Sequence, residues 1–286
     1  DWKGEIMEKA IKRYFPIFVL PTMIAFTLGF IIPFVEGVYL SFCKFTTVND
    51  AKFIGFANYA KVFADETFVH AFWYTAAFTV VSVILINVLA FAVALLLTKG
   101  FKGTNIFRTV FFMPNLIGGI VLGYIWQLLL NGILMKFSRT LTYSSTYGFW
   151  GLIILMCWQQ IGYMMIIYIA GIQNIPGELI EAAEIDGATK WQILKKVTIP
   201  MVMPSITVCT FLTLTNSFKL FDQNLALTNG EPSKMSEMLA LNIFYTFYGR
   251  TGYEGVGQAK AVIFFILVTV IALTQNYLTR RKEVQQ

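Results

Sequence analysis

Two groups of residues in this 286-residue chain could do chemistry, and both look like binding groups rather than catalysts. The first is a set of polar side chains inside long apolar runs. Trp158, Gln159, Gln160 and Tyr163 fall in one run, and Thr213, Asn216, Ser217, Lys219, Asp222 and Gln223 in another. Gln159, Gln160 and Tyr163 lie three to four residues apart on one face of a helix, and Asn216, Lys219/Leu220 and Gln223 stack on a second face. Polar groups in hydrocarbon are costly, so they face a cavity or another helix. Amides and hydroxyls supply donors and acceptors for a solute's hydroxyl groups, and aromatic faces supply a flat apolar plate for a sugar ring. Gln159, Gln160, Tyr163, Asn216, Ser217 and Lys219 are therefore candidates to line a solute path. For each residue taken singly, interhelical hydrogen bonding competes with that role. For Lys219 and Asp222 the competitor is an ion pair three residues apart.

The second group is the segment 173–200, QNIPGELIEAAEIDGATKWQILKKVTIP. Pro176 suits a helix start, and Glu178, Glu181 and Glu184 sit toward the positive end of the helix dipole. Gly187 closes that helix in a left-handed conformation, and a second short helix begins at Thr189 and ends in Lys195 and Lys196. Pro200 then starts the next long apolar run. The expected product is a helix–turn–helix outside the membrane whose small face, Ala182 and Ala183, fits a partner's groove. An ordinary connector would not need this glycine or this order of acidic, small and basic segments.

Catalytic motifs are missing. The sequence has no G-x-x-x-x-G-K-[ST] to cradle ATP, no G-x-S-x-G and no H-E-x-x-H. His70 is the only histidine and sits at the entrance of an apolar run, where packing is its expected role. Cys43, Cys157 and Cys209 have neither disulfide nor metal spacing. The chain is expected to be no enzyme and to bind no metal or cofactor.

The elements that must carry these groups follow from composition. Hydrophobic residues make up 57%, aromatics 16% and charged residues 13%, roughly half the charge of a soluble domain. Uncharged runs at 14–35, 67–98, 109–135, 140–177, 197–218 and 261–279 each approach or exceed the ~18–20 residues that cross a ~30 Å hydrocarbon core. This excludes a soluble enzyme, a disulfide-framed secreted domain and a nucleic-acid-binding domain, the net charge of +6 notwithstanding. The chain reads as an all-α integral membrane protein with six spans at about 15–40, 71–97, 109–131, 149–172, 199–222 and 259–279, forming one domain over 1–286. Thirteen basic residues (Lys3, Lys9, Lys12, Arg13, Lys99, Lys102, Arg108, Lys190, Lys195, Lys196, Arg280, Arg281, Lys282) fall on the side of the termini. Seven (Lys44, Lys52, Lys61, Lys136, Arg139, Lys234, Arg250) fall on the other. By the positive-inside rule both termini and the 173–198 loop are cytoplasmic.

Smaller signals complete the layout. The first span is too long for a signal-peptide core and reads as a retained helix, with a short leader allowed for ahead of Asp1. No internal repeat occurs. Segment 237–250 is apolar but too short to span, and reads as an interfacial or re-entrant helix. Gly119 and Gly123 form a G-x-x-x-G suited to close helix packing, and Pro21, Pro33, Pro114 and Pro204 permit kinks in or beside spans.

The loop also carries a family resemblance. Glu181-Ala182-Ala183, Gly187, then Val197, Ile199 and Pro200 resemble the EAA loop of permease subunits in bacterial ABC importers, with Val for Ile and Ile for Leu as the departures. Across most of the chain the resemblance points to the carbohydrate branch typified by the maltose importer. Phe53-Ile54-Gly55-Phe56-Ala57-Asn58-Tyr59 resembles F-x-G-x-x-N-[YF] of the first outer loop. Phe107 to Pro114 resembles that branch's entry to the third span, continued by Tyr124-Ile125-Trp126, and Gly171 to Pro176 its lead into the EAA loop. Leu227 to Pro232 resembles T-x-G-G-P, with Glu231 in place of a glycine.

The resemblance implies a type I ABC importer permease fold in its plain six-helix form, in the bacterial cytoplasmic membrane. It implies that Glu181, Ala182, Ala183, Asp186 and Gly187 belong to a coupling helix docking on a cytoplasmic ATPase dimer, which carries the ATP and Mg. It further implies a second EAA-type permease subunit, forming a heterodimer, an extracytoplasmic sugar-binding protein, and a sugar or oligosaccharide passing along the fourth and fifth spans. The alternatives are a permease for glycerol-phosphate or another polar solute, a secondary transporter, and a non-transporting scaffold or receptor. Central spans almost free of acids, with no visible inverted repeat, count against the secondary transporter.

Overall fold

The computed structural model describes residues 2–100 and 102–280, with side chains over 14–100 and 102–279. The side chains of Lys3, Lys9, Lys12, Arg13 and Arg280, and all of Arg281 and Lys282, on which part of the basic count rests, lie outside that description. The described chain is helical: α1 (Trp2–Phe26), α2 (Ile32–Leu40), α3 (Ala57–Phe63), α4 (Glu66–Leu97), α5 (Thr104–Phe112), α6 (Gly119–Leu134), α7 (Ser145–Gln173), α8 (Gly177–Ile185), α9 (Lys190–Ile193), α10 (Ile199–Met201), α11 (Met203–Phe218), α12 (Asp222–Leu227), α13 (Leu239–Gly249) and α14 (Glu254–Arg280). Two short strands, β1 (Cys43–Lys44) and β2 (Lys52–Phe53), pair antiparallel. Residues 1–64 with 245–263 form one compact unit, and 65–244 with 264–286 a second.

Five described stretches are long and apolar enough to cross a bilayer: Tyr14–Leu40, Glu66–Leu97, Gly119–Phe137, Ser145–Gln173 and Glu254–Thr279. A sixth arises if Lys190–Met201 and Met203–Phe218, bent by 69° to one another, count as one span. Two expected spans therefore need correcting. The third, expected over 109–131, is interrupted at Ile117 and Gly118, both extended, and α6 begins only at Gly119. The fifth, expected over 199–222, bends at Val202 and ends at Phe218, and Asp222 opens a new helix. Hydropathy does not register the breaks at Ile117 and Val202, which are as apolar as a continuous helix. Helix α11, by contrast, ends at Phe218, the last residue of the uncharged run, and the expected span overran it through Lys219. Two widened π-turns, Thr27–Ile31 and Leu194–Thr198, each run up to within two residues of a proline, Pro33 and Pro200. A proline ring crowds the carbonyl one turn back and has no N–H, so the ladder there shifts register.

In the first unit the apolar side chains of the leading helix, among them Phe15, Phe18, Leu20 and Leu28, stand exposed, as a lipid solvent allows. Asn58 of the first outer loop is buried and donates to the carbonyls of Ser41, at 2.9 Å, and Cys43, at 2.8 Å. It closes the chain where α2 gives way to β1. The hydroxyls of Tyr59 and Ser41 meet at 2.7 Å. The amides of Thr46 and Thr47 donate to Asp50 and hold its carboxyl below the usual range. Lys260 is fully buried and donates to Thr246 at 2.8 Å.

In the second unit α4, α7 and α11 pack around a core that includes Phe78, Ile86, Ala90, Leu152, Met156 and Tyr168. A polar thread crosses that core: Tyr168 donates to Asn87 at 2.7 Å, and Asn87 donates to Thr213 at 3.3 Å. The G-x-x-x-G of α6 seats α12: a Cβ on Gly119 would come within 2.7 Å of Asp222 Cβ, and one on Gly123 within 2.7 Å of Ala226 Cβ. His70 keeps a packing role, with its Nε2 3.0 Å from the Met235 carbonyl.

The closest approach is at Gly162 in α7, where a Cβ would overlap the Phe111 carbonyl of α5. Gly162→Ala is expected to cost ~1–3 kcal/mol by overpacking. Gly132→Ala, in open space within α6, should be neutral or stabilise by ~0.4–1 kcal/mol. Thermal denaturation in detergent checks the pair. Equal melting midpoints would show that α5 does not pack on α7 this closely.

Candidate functional site

The break between α11 and α12 opens a cavity of about 330 Å³ lined by Met156, Gln160, Asn216, Lys219, Leu220, Phe221, Asp222 and Gln223. Three of the six sequence candidates for the path, Gln160, Asn216 and Lys219, are in that lining. The Asn216 and Gln160 side chains approach at 3.5 Å, the long limit of a hydrogen bond, so neither amide is fully used.

The other three lie elsewhere. Gln159 is buried behind the cavity, accepting from Gln223 Nε2 at 2.8 Å and donating to the Ile117 carbonyl at 3.3 Å. It bridges two helix breaks and fixes Gln223. Ser217 is fully buried, outside the lining. Tyr163 packs on Phe112, with ring centroids 6.4 Å apart. A single continuous fifth helix would have kept Asn216, Lys219 and Gln223 in one column. With the helix ended at Phe218, Asp222 and Gln223 instead enter the lining from α12. Phe221, Leu220 and Met156 are lining residues that a search for polar side chains passes over.

Other amides repair backbone. Gln127 of α6 donates to the Leu227 carbonyl at the end of α12, at 3.0 Å, and Asn131 accepts from the Leu141 amide at 2.8 Å. Asn224 is fully buried. It donates to the Ser236 carbonyl at 2.8 Å and accepts from the Met238 amide at 2.9 Å, closing the 228–238 loop.

The second site is the helix–turn–helix. Pro176 precedes α8, with Glu178 in its first turn. At its end Gly187 takes φ +77°; the Ala188 amide donates to the Ala183 carbonyl and the Gly187 amide to the Glu184 carbonyl, both at 3.0 Å. This is the two-bond glycine stop of a Schellman motif. Thr189 then caps α9: its amide donates to Gln192 Oε1 at 2.7 Å, and its hydroxyl accepts from the Gln192 amide at 3.3 Å. Stop and start are separated only by Ala188, so the turn has little freedom. Glu181, Ala182 and Asp186 are exposed and Ala183 half-buried, and a hollow of about 250 Å³ lined by Ala183, Asp186, Gly187, Gln192, Ile193 and Lys196 lies between the two helices. The EAA residues thus sit together on a rigid, exposed corner.

Apolar spans, a polar cavity at a helix break and an exposed helix–turn–helix define a polytopic transport protein. Residues 86–284 match the family described as "Binding-protein-dependent transport system inner membrane component", and the chain belongs to that family. Over 94% of both chains it is 42% identical to the probable starch degradation products transport system permease protein AmyD of Thermoanaerobacterium thermosulfurigenes. It is 28% identical to the multiple sugar-binding transport system permease protein MsmF of Streptococcus mutans, over 97% of this chain and 99% of that one. The fold is similar to that of a bacterial ABC transporter involved in the import of the acidic polysaccharide alginate, with TM-score 0.80 and 23% identity, covering 96% of this chain and 98% of that one. This is the type I ABC importer permease fold, and the chain is a permease of a binding-protein-dependent importer.

Gly187→Ala puts a side chain into the left-handed region, at a local cost of ~1–2 kcal/mol. Hydrogen exchange should then quicken at the amides of 186–189 while α7 keeps its protection. Unchanged exchange at 186–189 would mean that the glycine stop does not hold the corner.

Proposed function

We propose that this chain forms half of the translocation path for a sugar or oligosaccharide and couples it to ATP hydrolysed on a separate cytoplasmic ATPase dimer. A second EAA-type permease, in a heterodimer, completes the path, and an extracytoplasmic sugar-binding protein delivers the solute. Both termini are cytoplasmic, a reading the basic-residue asymmetry of the loops supports, and residues 1–286 serve as one permease domain. ATP and Mg are held by the ATPase. Coupling then depends on a difference in the contact energy of Glu181, Ala182, Ala183, Asp186 and Gly187 with the ATPase between its two states.

The cavity carries the substrate reading. Its amides at Gln160, Asn216 and Gln223 combine with the Phe221 ring, a lining suited to hydroxyls and the apolar face of a pyranose. The names of AmyD and MsmF agree with it. Lys219 favours a second reading, an anionic polar solute such as glycerol-phosphate, but Asp222 in the same lining offsets its charge.

In proteoliposomes holding the whole transporter, Gln160→Ala and Asn216→Ala should each lower uptake of labelled malto-oligosaccharide by about tenfold, the value of one hydrogen bond of ~1–1.5 kcal/mol. ATPase binding should persist in both. Wild-type uptake by both variants would remove the cavity from the path. Gly187→Asp should abolish ATP-driven uptake and release the ATPase on purification; uptake and ATPase retention in that variant would overturn the coupling assignment.

A further inference from the structure

The helix–turn–helix separates its charges by sign. Helix α8 and its stop carry Glu178, Glu181, Glu184 and Asp186, with no cation between 177 and 187. The helical stretch Lys190–Met201 carries Lys190, Lys195 and Lys196 and no acid. All three lysines are exposed, as is Trp191 beside them, and Ile193 on the opposite side is buried. Trp191 and Lys195 are neighbours one turn apart, and Lys190 and Lys196 stand exposed to either side of them, Lys196 at the rim of the hollow beside α8.

The 69° bend at Val202 gives this exposed group a direction. Spans tilt on average ~20° from the membrane normal, which with the 69° bend turns Lys190–Met201 to roughly 50–90° from the normal, closer to the membrane plane than to a spanning direction. An amphipathic helix in that plane, bearing tryptophan and lysine where the chain enters the bilayer, has the composition of a headgroup contact. Cations near an anionic leaflet are attracted to it individually, and several together act as one site.

We propose that Lys190, Trp191, Lys195 and Lys196 bind anionic phospholipid headgroups of the inner leaflet, while the acidic helix α8 is left to the ATPase. The occupant is a lipid phosphate. The contact fixes the stem of the coupling loop to the membrane, so that displacement of α8 is passed to α11 instead of being lost in rotation of the loop. The proposal rests on the cytoplasmic position of this loop given above.

The test uses the whole transporter in nanodiscs of phosphatidylcholine containing brominated phosphatidylglycerol or, in equal amount, brominated phosphatidylcholine. The difference in fluorescence between wild type and Trp191→Phe isolates Trp191 from the other tryptophans. Brominated phosphatidylglycerol should quench this difference more strongly than brominated phosphatidylcholine. The triple variant Lys190→Gln, Lys195→Gln, Lys196→Gln should lose that preference, with apparent affinity for phosphatidylglycerol falling about tenfold or more. The corresponding triple arginine variant should keep it, which separates charge from folding. Equal quenching by both lipids, or a preference surviving in the glutamine variant, overturns the proposal. So does quenching by neither lipid combined with loss of the ATPase from the glutamine variant, an outcome that makes the ATPase the occupant. Failure of the coupling reading is scored separately, by ATP-driven uptake in Gly187→Asp.

Discussion

A chain in hydrocarbon has no water to complete its hydrogen bonds, and the rest of this structure depends on how that demand is met. An unbroken helix meets it alone; a broken one exposes amides and carbonyls at several kcal/mol each. Among its described residues the second unit nevertheless interrupts apolar helices at Ile117–Gly118, at Val202 and at Lys219–Phe221. Uncharged amide side chains take the place of water at the first of these breaks and beyond the end of α12. Gln159 donates to the Ile117 carbonyl, Gln127 to Leu227 at the far end of α12, and Asn224 holds both strands of the loop that follows. The same device appears in the first unit, where Asn58 spans two carbonyls at the end of α2.

The same constraint divides the structural amides from those that face the cavity. Gln127, Gln159, Asn58 and Asn224 bond to backbone at 2.8 to 3.3 Å, and removing one strands a carbonyl or an amide. Gln160 and Asn216 line the cavity with only a 3.5 Å contact between them. Amides with spare capacity in a hollow are those a passing solute can engage and release, since binding there need not first break a strong internal bond. Gly119 and Gly123 extend the division to packing. They give α6 a surface without side chains on which α12 seats, and so fix the height at which Asp222 and Gln223 enter the lining.

The uncharged runs made four spans legible within a few residues: Tyr14–Leu40, Glu66–Leu97, Ser145–Gln173 and Glu254–Thr279. They misled at the third, where Ile117 and Gly118 leave the helix without leaving the apolar run, and at the Val202 bend of the fifth; the far end of the fifth helix, Phe218, is where the uncharged run itself stops. The fold of the helix–turn–helix at 173–200 was legible almost residue by residue, because a glycine stop, a threonine cap and the run of acids are all local chemistry. The cavity was half legible. Gln160, Asn216 and Lys219 declared themselves as polar residues in lipid, but so did Gln159, which is bonded to Ile117 and Gln223, and Ser217, which is buried outside the lining. A helical wheel could not separate them, because Gln159 and Gln160 are adjacent and the distinction lies in what Ile117 and Gln223 require of one and not of the other.

The breaks also join the two sites mechanically. The corner at Gly187 and the bend at Val202 are separated by one helical stretch with a widened turn at Leu194–Thr198, and α11 then runs directly to Asn216 and the break at Lys219. In the proposed coupling a displacement of α8 reaches the cavity only if this stretch passes it on to α11 rather than flexing as a hinge. A π-turn keeps hydrogen bonds along the helix, so the stretch stays internally bonded where a loop would not. The Schellman stop and the threonine cap bond the corner likewise, leaving Val202 as the joint in the train. At its far end the train meets a lining whose contacts, 3.5 Å between Gln160 and Asn216, are weak enough for the rearrangement to be small in energy. A hydrogen-bonded corner at one end and loosely held amides at the cavity end are what the proposed coupling requires.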